Sequence, residues 1–297
     1  MTTQGRIDSP YLAIGLYVSN LMIMVLISGL VKHLSDHYPV TQILLFRFAL
    51  AAVPLFLFTI TMHGLEVMKT ERYQDHAIRS VSGICSLSML YFALSMIPIA
   101  EATMIAYSSP IFITILSIPL LGEKIGIARW SAVLIGFAGV MIIAQPGTQV
   151  FNLGGLLALG SALGGAMVVL WLRKLSDTEH PGLTSFIYNS LGALVFIIVT
   201  LYVGWHEVMS WIHWLLLAAV GLLAAVQQYL FAFSLRFGEA SLIAPFEYLI
   251  LLFAVAAGII FWNEIPPTTS VIGGTVIVAS GLIIIFRANK KKVQTQT

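Results

Sequence analysis

Apolar residues run through this chain in long stretches, and short polar connectors separate them. Ten stretches can be drawn, at roughly 11–31, 40–62, 77–97, 101–121, 127–145, 152–172, 182–203, 211–235, 239–262 and 267–286. Each is close to the ~20 apolar residues a helix needs to cross a bilayer core. In lipid every backbone group must be satisfied within the segment, so such runs cross as helices. The expectation is an all-α integral membrane protein of ten transmembrane helices. The longest connector, 63–76, leaves no room for a soluble domain.

Within this pattern one segment occurs twice. Residues 101–106 read Glu-Ala-Thr-Met-Ile-Ala and residues 239–244 read Glu-Ala-Ser-Leu-Ile-Ala, with Tyr91 and Tyr229 at matching distances upstream. Each copy opens the fourth span of a five-span half, and each fourth span closes in an acidic turn, Gly122-Glu123-Lys124 or Asn263-Glu264-Ile265. Five spans per half start the second half on the opposite side of the membrane. The two halves, 11–145 and 152–287, are therefore expected to be inverted repeats, a common plan among secondary transporters, followed by a basic tail at 288–297. Ala102 with Ala106, Ala240 with Ala244, and Gly160 with Gly164 lie one turn apart and permit close helix approach.

Composition agrees with a membrane protein. Hydrophobic residues make up 59% of the chain and charged residues 9%, against about 25% charged in soluble domains. With the N-terminus in the cytoplasm, thirteen of the fifteen Lys and Arg fall on the cytoplasmic side; Lys32 lies opposite and Arg47 within the second span. That asymmetry predicts both termini inside, in a bacterial inner membrane. Trp205, Trp211 and Trp214 fit an interfacial belt. No cleavable signal peptide is expected, because the first apolar run is a full span. The single Cys85 is read as a small buried packing residue, which excludes a disulfide framework. No basic patch with interleaved aromatics points to nucleic acid. The histidines fall mainly in connectors (His33, His37, His63, His76, His180, His206), with His213 at a span entrance, and are assigned no metal. Neither a nucleotide site, a hydrolase elbow nor any other cofactor site is expected.

Polar residues inside the spans carry the candidate chemistry. Glu247 lies about two turns into the ninth span, and an intramembrane acid marks a functional site by default. Pro245 frees a carbonyl about one turn earlier and loosens the backbone there. Glu247 is the candidate for binding substrate and for taking up a coupling proton. Arg47 either holds the fold or neutralises Glu247 or an anionic group of a solute. Tyr107, Ser108 and Ser109 precede Pro110; Gln227, Gln228, Tyr229, Asn189 and Asn20 add neutral polar groups. Tyr91, Trp171 and Tyr248 could stack on a planar or cationic group. Together they outline a mid-depth cavity for a polar or amphipathic small molecule. Glu101 and Glu239 are read as helix N-terminal acids, and Glu123 and Glu264 as solvated or capping groups.

These residues resemble a known group. Ten spans, a duplicated five-span unit, Arg47-Phe48, the Glu-Ala openings, Pro110 and Gly122-Glu123 are similar to the drug/metabolite transporter superfamily in its EamA-type branch. Ala244-Pro245-Phe246-Glu247-Tyr248 is similar to a subset that includes riboflavin- and S-adenosylmethionine-type carriers. Asn263-Glu264 stands where Gly-Glu is usual, and Ser28-Gly29 where related carriers often have an aspartate. The resemblance implies a central cavity and alternating access without ATP. It implies an exporter of a small organic metabolite (amino-acid-derived, nucleoside- or flavin-like, or metallophore-like), or an uptake carrier of the same class. The competing readings are a membrane enzyme, for which no nucleophile, acid–base pair or metal set is found, and a non-transporting scaffold, which leaves Glu247 and Arg47 unexplained. A monomer or homodimer in the bilayer, with protons as coupling ion, completes the expectation.

Overall fold

The computed structural model describes residues 9–121, 127–144, 152–175, 178–237 and 244–296. Among them the regular structure is helical: α1 (Pro10–Ser35), α2 (Val40–His63), α3 (Tyr73–Leu94), α4 (Ile99–Ala106), α5 (Ser109–Leu121), α6 (Ile127–Ala144), α7 (Leu153–Leu175), α8 (Pro181–Val203), α9 (Trp211–Phe237), α10 (Leu249–Trp262) and α11 (Thr268–Gln296). Short 3-10 turns cover Leu65–Met68 and Ala244–Tyr248. Each of the ten apolar stretches thus holds a helix.

Seven helical segments are long and apolar enough to cross a membrane by length and composition: Tyr11–Ser35, Val40–His63, Tyr73–Leu94, Ile99–Leu120, Leu153–Leu175, Pro181–Val203 and Trp211–Ser234. Three further apolar helical stretches are shorter, Val133–Ile143, Phe246–Trp262 and Thr268–Ser280.

Two segments depart from uninterrupted helices. The third begins at Tyr73 rather than near 77, because Asp75 in its first turn is held by Arg72 and Lys174. The fourth is broken at Tyr107-Ser108. Pro110 has no N–H to continue the ladder, the Ser108 N–H tightens onto the Ile105 carbonyl, and the Ser108 hydroxyl donates to that same carbonyl at 2.7 Å. The related ninth segment is described from Ala244, where its backbone is also a 3-10 turn before α10 begins. Glu123 and Glu239 lie outside the described residues.

The main packing pairs join one half of the sequence to the other: α1 with α9, α3 with α7, α2 with α8, and α6 with α11. Small residues make the approaches possible. A Cβ on Gly164 would stand 2.8 Å from Ser86, and one on Gly160 2.7 Å from the Met89 sulfur. Where α6 crosses α11 the backbones themselves touch: a Cβ on Gly139 would lie 2.8 Å from the Gly273 carbonyl oxygen, and one on Gly273 2.6 Å from that of Gly139. Phe48 is fully buried between Tyr188 and Phe196, with ring centroids 5.3 and 5.7 Å away. Cys85 is exposed on the flank of α3, not buried as the sequence reading has it. A small, weakly polar side chain tolerates either setting.

Candidate functional site

Two groups of polar residues stand inside the bundle, one built on arginines and one on a carboxylic acid. The first lies between α2, α3 and α8. Arg47 is 6% exposed, and its Nη1 donates to Asn189 Oδ1 at 2.7 Å. Asn189 is held in turn by its Nδ2, which donates to the Ser185 carbonyl at 2.7 Å. The guanidinium carbon of Arg79 lies 4.1 Å from the centre of the Tyr188 ring, and that of Arg47 5.7 Å from it. Gly83 makes room for this ring, since a Cβ there would stand 2.8 Å from Tyr188 Cε2. Tyr91 is buried beside Arg47.

Neither arginine is ion-paired to a carboxylate among the described residues, and Arg79 Nε and Nη1 have no hydrogen-bond partner there. Buried charge is costly unless paired. Contact with an aromatic face returns about 2 kcal/mol at a desolvated site, which leaves most of that cost uncovered. The centre therefore has positive charge and free donors to offer to something else.

The second centre is built on the 3-10 turn. Glu247 stands within electrostatic reach of Tyr17 on α1 and of Tyr107 at the α4–α5 break. Tyr248 is buried with its hydroxyl unpartnered among the described residues, and the Tyr107 hydroxyl lies 3.9 Å from the Met24 sulfur. Asn20 on α1 accepts from Gln227 on α9 at 2.7 Å. Elsewhere, Gln228 Nε2 on α9 and Trp171 Nε1 on α7, beside Lys174, are buried atoms without partners among the described residues.

Not every expected residue joins these centres. Ser108 is fully buried and spends its hydroxyl on the backbone. Ser109 is half-buried near Gly165. Tyr229 donates to the Pro54 carbonyl at 2.8 Å. Arg47 does not neutralise Glu247: its partner is Asn189. Arg79, assigned to the cytoplasmic count, is instead 7% exposed inside the bundle. Tyr188 and Tyr17 also escape the sequence reading.

Polar clusters lie at both ends of α3. At its end, Lys32 Nζ meets Glu264 Oε1 and donates to the Ile97 carbonyl. Glu264 Oε2 accepts the Ile99 N–H, and the buried Glu101 accepts from Ser270. Of the two readings of Glu264, solvated or capping, the structure favours the second: it accepts the first N–H of α4 and is tied to Lys32. At the start of α3, Asp75 binds Arg72 and Lys174, each at 2.8 Å. His76, read as a connector residue, is buried there against Glu179 at 3.2 Å. His33 and His37 have the spacing His-x-x-x-His, and their rings cluster with His213.

Comparison with known proteins agrees with this architecture. The chain is similar to a riboflavin transporter of Vibrio cholerae, 31% identical over 85% of either chain. It is similar to the pseudopaline exporter CntI of Pseudomonas aeruginosa, 26% identical over 85% of this chain and 88% of the other. It is also similar to the S-adenosylmethionine uptake transporter of Rickettsia prowazekii, 26% identical over 87% of either. The model of the EamA-like transporter family matches residues 12–145 and again 152–287. An all-helical bundle with charged groups at its centre, matched by this model over nearly its whole length, is a multi-pass membrane transporter and not an enzyme: the chain belongs to the EamA-like transporter family.

Proposed function

We propose that this chain is a secondary-active carrier in a bacterial inner membrane that exports a small organic metabolite bearing an anionic group. It crosses ten times with both termini in the cytoplasm. Residues 11–145 and 152–287 form two inverted five-helix units that rock about a site between them. The packing pairs support this arrangement: exchanging the halves turns α1 with α9 into α7 with α3, and returns α2 with α8 and α6 with α11 to themselves.

The observation that carries the solute class is the pair Arg47 and Arg79 at the Tyr188 ring, buried without a carboxylate among the described residues. An incoming anion completes the charge balance and takes the unused donors of Arg79. Glu247 with Tyr17, Tyr107 and Tyr248 forms the opposite pole, for a cationic or hydrogen-donating group of the same solute and for the coupling proton. An amphoteric metabolite, amino-acid-derived, flavin-like or metallophore-like, satisfies both poles. The relatives named as an exporter and as uptake transporters support export and import respectively, so uptake by the same geometry is the second reading.

A metabolite comparison between a deletion strain and its parent tests direction: accumulation inside the mutant supports export, and depletion supports uptake. The solute so identified is then followed in proteoliposomes. Arg79→Gln is expected to raise the KM at least about tenfold while the protein still inserts, as loss of a charge-assisted contact does. Glu247→Gln is expected to abolish dependence on the pH gradient. Unchanged KM in Arg79→Gln and Arg47→Gln would discard the anionic solute, and normal pH-driven flux in Glu247→Gln would discard the proton role.

A further inference from the structure

Three histidine rings meet where the α1–α2 turn approaches the start of α9. His33 lies in the last turn of α1, His37 just beyond it, and His213 in the first turn of α9. Each can present one ring nitrogen, and these nitrogens lie within 4.8 Å of one another. His37 stacks on His213 with centroids 5.1 Å apart, and His33 meets His37 edge-on at 5.7 Å.

The setting of His213 is the second observation. Tyr38 is 3% exposed, and its hydroxyl oxygen lies 2.7 Å from His213 Nδ1 while accepting the Met209 N–H at 3.1 Å. A phenolic oxygen has two acceptor positions, so it can take the Nδ1–H as well. That tautomer frees Nε2, and a partner on the other nitrogen is what metal-binding imidazoles usually have. His33 and His37 are exposed and can turn. Rotation closes the separations toward the ~3.4 Å between nitrogens that a tetrahedral ion with bonds of about 2.0–2.1 Å requires. The adjacent cation, Lys32, has its charge met by Glu264.

We propose that His33, His37 and His213 form a binding site for a zinc-type divalent cation, with solvent in the fourth position and Tyr38 as the positioning residue behind His213. Three neutral imidazoles favour Zn2+, Ni2+ or Cu2+ over Mg2+ and Ca2+, which prefer oxygen. The ion would join the end of α1 to the beginning of α9, helices from opposite halves of the chain. Nothing in the transport reading requires this site, and it stands or falls apart from it.

Full-length protein without a histidine tag, in nanodiscs, is titrated with Zn2+ against a chromogenic chelator. One Zn2+ per chain is expected. His33→Ala, His37→Ala and His213→Ala are each expected to weaken binding at least about tenfold, and Tyr38→Phe by about tenfold. His206→Ala, whose ring is outside the cluster, is expected to bind as the parent does. Co2+ in place of Zn2+ should give the visible absorption of a tetrahedral site in the parent and lose it in His37→Ala. Absence of stoichiometric Zn2+ binding by the parent overturns the site, as does unchanged affinity in the exposed His33→Ala and His37→Ala variants, which do not depend on packing for their fold.

Discussion

Lys32 Nζ lies 2.9 Å from Glu264 Oε1, and this pair ties the last turn of α1 to the segment after α10. The same two side chains hold the turn between α3 and α4, through the Ile97 carbonyl and the Ile99 N–H. Four segments thus converge on one half-buried ion pair. Lys32→Met leaves Glu264 without its cation, whereas Glu264→Gln keeps an acceptor for Ile99. Lys32→Met is expected to weaken this closure by about 1–3 kcal/mol, between the exposed and buried limits, and Glu264→Gln by less. Labelling of a cysteine placed at Ile99, in a Cys85→Ser background, reads the difference; equal labelling in parent and Lys32→Met would refute the closure.

Asn189 separates two consequences of the arginine centre. Asn189→Leu leaves Arg47 Nη1 without its acceptor and should lower stability by about 1.5–3 kcal/mol, measured by thermal unfolding in detergent. Asn189→Asp supplies the missing negative charge. It should unfold no lower than the parent and yet bind an anionic solute more weakly. Unaltered solute binding in Asn189→Asp would speak against an anion at this position.

Gly192 touches the ring of Phe48, which stacks on Phe196 and meets Tyr188 at right angles. A methyl group there runs into a ring already packed by two others. Gly192→Ala is expected to cost about 1–3 kcal/mol, the usual range for overpacking, seen as a lower melting temperature. Gly192→Ala with Phe48→Leu should recover part of the loss.

Burial and the neighbouring His63 hold the His180 pKa below the ordinary histidine value of 6.5. Its Nδ1 accepts the Gly182 N–H at 3.1 Å, which only the neutral ring can do. The stabilisation is therefore fully present above the unfolded value and is lost as pH falls through the folded one. Hydrogen-exchange protection at the start of α8 should be full above about pH 6.5 and fall as pH is lowered below it, and His180→Asn, a non-titrating cap, should abolish that pH dependence.

The helices were legible because each contains a long apolar run, a signal that needs no partner to be read. The fourth-segment break was half legible: Pro110 announces it, but the Ser108 hydroxyl, turned back on the Ile105 carbonyl, looks in sequence like a ligand group. Arg79 was missed because the apolar run starts near 77, while the helix extends to Tyr73 on the charges of Arg72, Asp75 and Lys174. Arg47 was found, yet its partner Asn189 stands in the other half, where only tertiary packing brings the two together. Tyr188 and Tyr17 carry no local mark at all. The His33–His37 spacing could have been seen; the approach of His213 could not.

The bare contact between Gly139 and Gly273 has a mechanical outcome. With no side chain on either glycine to space the backbones, and with Ile143, Val276 and Ile277 packed against them, sliding of α6 past α11 meets peptide groups at once. In the proposed swing of one half against the other, this crossing is expected to move least, like an axle, and the far ends of α1 and α9 more. Spin labels flanking Gly139 and Gly273 would hold one separation through the cycle, while labels on those far ends would report two.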